Sequence, residues 1–154
     1  MRVDRVSVRP PQPGDARALA EAELVCFSDP WPPSFFISEI LADGRFNRLL
    51  VDPAGSMVAY LFCTWQYLQL HVLKVATLPQ FRRAGLARRL MALAEDHAHQ
   101  EGGETLTLEV RAANLDAIAL YESLEYQQAG IHRAYYQDGE DAVVMTKRIL
   151  NLEF

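Results

Sequence analysis

Phe81-Arg82-Arg83-Ala84-Gly85-Leu86-Ala87-Arg88 is the stretch whose reading decides the fold. It follows an apolar, strand-like run from Leu68 to Thr77 and opens an amphipathic helix running from Leu86 to about Gln100. It fits Arg/Gln-x-x-Gly-x-Gly/Ala, a turn of small residues at a helix start. The first turn of a helix leaves backbone N–H groups without internal partners, and the helix dipole adds positive potential there, so the turn favours a bound anion. Gly85 lets the backbone approach a phosphate closely, Ala87 keeps the first turn uncrowded, and Arg82, Arg83 and Arg88 add charge. A phosphate-bearing cofactor is the first function this implies; an ordinary helix-opening turn is the alternative. The Walker loop needs Gly-Lys-Ser/Thr and the dinucleotide fingerprint needs Gly-x-Gly-x-x-Gly, and neither is present. What remains is the kind of pyrophosphate loop used for coenzyme A.

Working outward, Val3 to Arg9 alternates apolar and charged residues and reads as a strand ended by Pro10, Pro11 and Pro13. Asp15 caps a helix to about Phe27, and Asp29-Pro30-Trp31-Pro32-Pro33 forms a stiff loop. Ser34 caps a short helix from Phe35 to Leu41. Asn47–Val51, Met57–Trp65 and Leu68–Thr77 read as strands, the first two joined by the turn Asp52-Pro53-Ala54-Gly55. In the long helix Leu86, Leu90, Leu93, Ala94 and His97 share a face, and Gly102-Gly103 stops it. Thr105–Val110 is a strand and Asn114–Leu124 a helix. Gln127–Tyr136 and Ala142–Arg148 are strands joined through Asp138-Gly139, a hairpin signal. Strand–helix–strand around the anion loop implies a parallel pair, and the meander before it an antiparallel half. A mixed α/β sheet in a single domain spanning residues 1–154 follows.

The chain has 154 residues, half of them hydrophobic and 23% charged, the balance of an ordinary globular domain. With 15 Lys and Arg against 20 Asp and Glu the formal charge is -5, which argues against a nucleic-acid partner. Cys26 and Cys63 sit in apolar runs and read as buried small hydrophobes in a reducing compartment. There is no signal-like apolar segment near the N-terminus and no run of membrane-spanning length, so a cytoplasmic location without membrane contact is expected. The histidines 71, 97, 99 and 132 form no cluster at metal-ligand spacing, so no metal is expected; His97 reads as a satisfied core residue.

Four further segments follow the anion loop or flank it in order. They are Lys74-Val75-Ala76-Thr77-Leu78-Pro79, Leu108-Glu109-Val110-Arg111-Ala112-Ala113-Asn114, Ala117-Ile118-Ala119-Leu120-Tyr121-Glu122-Ser123-Leu124, and Tyr135-Tyr136 followed by Gly139-Glu140-Asp141-Ala142. With Asp29-Pro30-Trp31, they resemble the GCN5-related N-acetyltransferase (GNAT) superfamily. Within it, the chain is similar to the RimI-type N-terminal acetyltransferases over roughly residues 6–150. The resemblance implies a mostly antiparallel sheet of about seven strands with a central parallel pair and about four helices. It implies acetyl-CoA as donor and, as acceptor, the N-terminal α-amine of a protein, a ribosomal protein starting with Ala or Ser. A small-molecule amine, a lysine side chain, and a coenzyme A binding module without catalysis are the alternatives. Val75, Ala76 and Thr77 would present backbone groups to the acetyl and pantetheine portions. Arg82, Arg83, Ala84, Gly85, Leu86, Ala87 and Arg88 would cradle the pyrophosphate, and Asn114 would touch the cofactor near its thiol.

An amine attacks a thioester only when neutral, and an α-amine has a pKa of about 8, so a base must take a proton. Glu109 interrupts the apolar strand Leu106-x-Leu108-Glu109-Val110 and is the candidate base; a surface Glu on an alternating strand is the plainer reading. Partial desolvation there would raise its proton affinity. Tyr121, twelve residues on, is the candidate acid for the leaving thiolate, or a core aromatic at helical spacing from Ile118 and Leu124. The resemblance favours the acid–base roles. Backbone donors at Val75–Thr77 would face the carbonyl oxygen. Tyr135 and Tyr136 resemble the pair that holds the acceptor peptide, and otherwise are strand aromatics. Trp31 either shapes the peptide entrance or packs under the loop. Glu125 stands where the family usually has Gly, and a positive φ there would cost about 1 kcal/mol. Lys74 precedes the acetyl-contacting strand segment and bears on what the acceptor pocket tolerates.

Overall fold

The architecture is that of a computed structural model, which describes residues 5–149. Seven strands and four α-helices follow one another as β1 (Ser7–Arg9), α1 (Ala16–Cys26), α2 (Pro33–Leu41), β2 (Arg45–Val51), β3 (Met57–Gln66), β4 (Gln69–Thr77), α3 (Leu86–Gln100), β5 (Thr105–Arg111), α4 (Leu115–Ser123), β6 (Gln127–His132) and β7 (Ala142–Arg148). They form one sheet in the order β1-β2-β3-β4-β5-β7-β6. Every pairing is antiparallel except β4–β5, which α3 connects. The mixed, mostly antiparallel sheet with a central parallel pair is the expected one.

Both faces of the sheet are covered, which is why β3 is almost continuously apolar and buried. On one face Leu86, Leu90, Met91, Ala94 and Ala98 of α3 pack on Leu61, Cys63, Leu70, Leu106, Leu108 and Met145. On the other, Leu19 and Ala22 of α1 and Phe36 of α2 pack on Leu49, Tyr60, Phe62 and Ala76.

The feature that positions the site is a bulge. Phe62 pairs with Lys74 and Cys63 with Val72, so Leu73 is an extra residue in β4. A bulge reverses which face the following side chains meet and turns the strand. Val72 accordingly lies in the α3-side core and Ala76 in the α1/α2-side core. The β4–β5 pairing runs only from Gln69/Thr105 to Val72/Leu108. Beyond it the two strands part, and Lys74–Thr77 and Glu109–Arg111 become the walls of an opening.

Several boundaries differ from expectation. The first strand is shorter, Ser7–Arg9, and Val3 and Asp4 lie outside the described residues. Asp15 does not cap α1 through its side chain; its carboxylate takes the Arg9 guanidinium at 2.8 Å and the Gln12 amide at 2.7 Å. The second helix opens at Pro33 rather than after Ser34, as suits a residue with a fixed φ and no N–H to satisfy. β6 stops at His132, so Tyr135 and Tyr136 lie in the connection 133–141 and not on a strand; Asp138-Gly139 is a tight turn inside that connection. Cys63 is buried, but Cys26 is only half-buried.

Candidate active site

The donor end is built from backbone. Arg83 and Gly85 both have positive φ, 64° and 77°, and Gly85 is the residue from which α3 starts, with no side chain capping the amides that follow. A methyl group added to Gly85 would meet nothing within 4 Å, so the loop presents an open face of amide groups to an anion. Leu86 is buried in the core and Ala84 packs against it, which leaves only their backbones for a ligand. Arg82 Nε donates to the Thr77 carbonyl at 3.2 Å, and an Arg88 guanidinium nitrogen reaches Ser123 Oγ at 2.8 Å, tying the loop to β4 and α4. These features fit a diphosphate. The edge of β4 from Lys74 to Thr77 that would face β5 has no strand paired to it there.

The opening between β4 and β5 is a cleft of about 940 Å³. Val75, Glu109, Asn114, Tyr121, Trp31, Tyr135 and Tyr136 all line it. The structure therefore brings together the expected base, acid and acceptor-side residues from four separate elements. Tyr121 is held by the end of α4. Tyr126 N–H bonds the Tyr121 carbonyl at 2.9 Å and Glu125 N–H bonds the Glu122 carbonyl at 3.0 Å, the two bonds of a Schellman cap. Glu125 supplies the positive φ, 72°, that the usual Gly would adopt more easily. The rings of Tyr121 and Tyr126 complete the cap in a T-shaped contact at 6.0 Å. Burial pushes the Tyr121 phenol up to about 12, so it keeps its proton at neutral pH. Asn114 has a duty the sequence reading did not give it: its Oδ1 caps α4 by accepting from Ala117 N–H at 3.1 Å.

Glu109 faces the α1/α2 side and is not a surface residue; its side chain is 16% exposed. Its Oε2 lies 2.6 Å from His71 Nε2. The parallel register explains this, since His71 pairs with Thr107 and Glu109 follows on the same face. This pairing was invisible in the sequence, because nothing local sets a β4–β5 register. Arg111 is a second residue without an assigned role. Its guanidinium meets Glu140 at 2.7 Å, Asp138 at 2.9 Å and Asp29 at 3.3 Å, and lies 4.1 Å over the Tyr136 ring. The Glu140 hydrogen bond, with those of Asp138 and Asp29, raises Arg111 further above its ordinary range and keeps it charged. It thus ties the first loop to the β6–β7 connection. Tyr135 and Tyr136 stand edge to face at 5.0 Å.

Trp31 takes both expected parts, lining the cleft and packing against Phe35, Phe36 and Phe62 at 4.4, 5.3 and 6.1 Å. Beneath it, the fully buried Glu23 accepts from Trp31 N–H at 3.0 Å and Tyr60 Oη–H at 2.5 Å, and pairs with Lys74 Nζ at 3.2 Å. Burial, reinforced by the Glu23 charge, holds the Tyr60 phenol far above its ordinary range. His97 lies away from the cleft and is half-buried at the edge of the core, accepting from Trp65 Nε1 at 2.9 Å and stacked on Phe46 at 4.0 Å. No helix among the described residues is long and apolar enough to cross a membrane.

Residues 16–126 match the Acetyltransferase (GNAT) family. The chain is 37% identical over 134 residues to the [ribosomal protein bS18]-alanine N-acetyltransferase of Escherichia coli K12, covering 85% of this chain and 89% of that one. The crystal structure of the ribosomal-protein-S18-alanine N-acetyltransferase from Escherichia coli superposes with a TM-score of 0.85 at 33% identity, covering 97% of this chain and 99% of that one. The fold alone is also shared with the spermidine/spermine N-acetyltransferase SpeG from Vibrio cholerae, with a TM-score of 0.76 at 15% identity over 93% and 94% of the two chains.

Proposed function

The chain belongs to the GNAT acetyltransferase family and is an N-acetyltransferase, and we propose that it moves the acetyl group of acetyl-CoA to the N-terminal α-amine of a ribosomal protein starting with Ala or Ser. The observation that carries the reading is the meeting of Glu109 and Tyr121 on one cleft at the point where β4 and β5 part. Bound acetyl-CoA supplies a thioester-activated acetyl group. The amides of the 82–88 loop hold its diphosphate and aim its thiol end at the opening, with Asn114 nearby. Backbone N–H groups on the open edge of β4, at Val75 and Thr77, would face the carbonyl oxygen where negative charge develops, while Ala76 N–H points to β3.

Glu109 takes a proton from the acceptor nitrogen, whose charged form predominates at neutral pH given a reference pKa of about 8. His71 holds one carboxylate oxygen and leaves the other to meet the amine. Tyr121 gives its phenolic proton to the departing sulfur. Trp31, Tyr135 and Tyr136 enclose the acceptor peptide, and Arg111 keeps their two loops together. The Escherichia coli enzyme named above, 37% identical to this chain, acts on a ribosomal protein's alanine, which supports the acceptor. Cytoplasm, where such a protein is made, is the location this reading implies. The test is turnover of Ala- and Ser-initiated peptides by wild type, Glu109→Gln and Tyr121→Phe. Loss in both variants is expected. Wild-type rates in both would remove the acid–base roles given to Glu109 and Tyr121.

A further inference from the structure

Lys74 Nζ lies 3.9 Å from the centroid of the Phe27 ring and 4.9 Å from that of Trp31, and 3.2 Å from Glu23 Oε1. The Lys74 side chain is 11% exposed and that of Glu23 is 0% exposed. Two aromatic faces and a buried carboxylate are the chemistry that recognises an alkylammonium ion. Here the ion is the protein's own. Phe27, Trp31 and Lys74 line the same cleft as Glu109, Tyr135 and Tyr136, so this cage opens on the acceptor side. The bulge at Leu73 is what turns Lys74 toward α1 and away from the α3-side core.

We infer that Lys74 is a tethered occupant of an ammonium cage in the acceptor site, and that it sets the substrate class by excluding polyamines, whose second cation lies only a few bonds from the reacting nitrogen. The inference rests on the acceptor reading of the cleft given above. A polyamine would need a carboxylate and aromatic faces for its second charge. Glu23, Phe27 and Trp31 are already engaged, and Lys74 repels a further cation. A neutral first side chain beside the reacting amine meets neither obstacle. The fold is shared with a spermidine/spermine enzyme, so such a determinant must lie in side chains and not in topology.

The test compares kcat/KM for spermidine with kcat/KM for an Ala-initiated peptide in wild type, Lys74→Ala and Lys74→Met. Emptying the cage raises the spermidine-to-peptide ratio by about tenfold or more, the scale of one desolvated cation–π and carboxylate contact. In Lys74→Ala, added ethylammonium also raises the melting temperature and brings the spermidine-to-peptide ratio back down, whereas wild type and the double variant Glu23→Gln/Lys74→Ala show no response. Lys74→Met keeps the aliphatic stem and gives the ratio if Lys74→Ala does not fold. An unchanged ratio in the folded variants, with no response to ethylammonium, overturns the inference. Glu109→Gln, assayed alongside, separates the two claims. If it turns over like wild type, the acceptor reading itself fails; if it is inactive while the ratio stays fixed, only the role of Lys74 fails.

Discussion

The two ends of the cleft are made of different material. The donor end is a turn of small residues and a helix start, and its working groups are main-chain amides. The acceptor end is made of side chains from α1, the first loop, β4, β5 and the β6–β7 connection, held by Glu23, His71 and Arg111. A backbone site is encoded within a few consecutive residues, whereas a side-chain site is encoded in pairs far apart in sequence. The contrast teaches that the cofactor can be inherited unchanged while the acceptor is respecified by single substitutions.

The sharpest way to break this division is Glu109→Gln. Turnover falls by about 10²–10⁴-fold, the usual worth of a general base, while calorimetry with CoA gives wild-type affinity. A parallel loss of CoA affinity would mean that the two ends are not separate. Arg111→Ala and Gly85→Val form the next pair. Removing Arg111 frees the first loop from Asp138 and Glu140 and is expected to raise KM for the peptide by about tenfold with KM for acetyl-CoA unchanged. Because the pairs with Glu140 and Asp29 are half-buried, some stability is lost as well. Gly85→Val does the opposite, raising KM for acetyl-CoA, since a β-branched residue resists φ of 77° and crowds the amide face.

Smaller effects come from the framework. Burial lowers the His97 pKa below its ordinary value, and the neutral ring accepts from Trp65. The folded-state value is depressed, so this stabilisation is complete above the unfolded pKa of about 6.5 and is lost as pH falls through the folded value. Urea midpoints at pH 8 and pH 5 should differ, and the difference should shrink in His97→Gln. Last, Glu125→Gly relieves a positive φ and is expected to add about 1 kcal/mol of stability with turnover unchanged.

Much of the fold was legible because hydrophobic period and turn residues are local signals. The sheet, the long helix and the anion loop were read from them, and the positive φ at Glu125 from a departure in a short motif. Asn114, Glu109 and Tyr121 were found through motifs, but their settings were not. The cap that Asn114 makes, the His71 contact of Glu109 and the Arg111 hub each depend on strand register or loop docking. The bulge at Leu73 left no mark either, since an extra apolar residue in an apolar strand looks like any other. Tyr135 and Tyr136 were placed on a strand because aromatic residues favour sheets; Ala134, with φ of 50°, and the turn at Gly139 take the chain off the ladder instead.

The most direct measurement uses one peptide that has a free N-terminal Ala and an internal Lys, incubated with the full chain and acetyl-CoA and then fragmented in a mass spectrometer. Acetylation confined to the α-nitrogen is the predicted result. An acetyl group on the lysine side chain, or no product from a folded enzyme that binds CoA, contradicts the account.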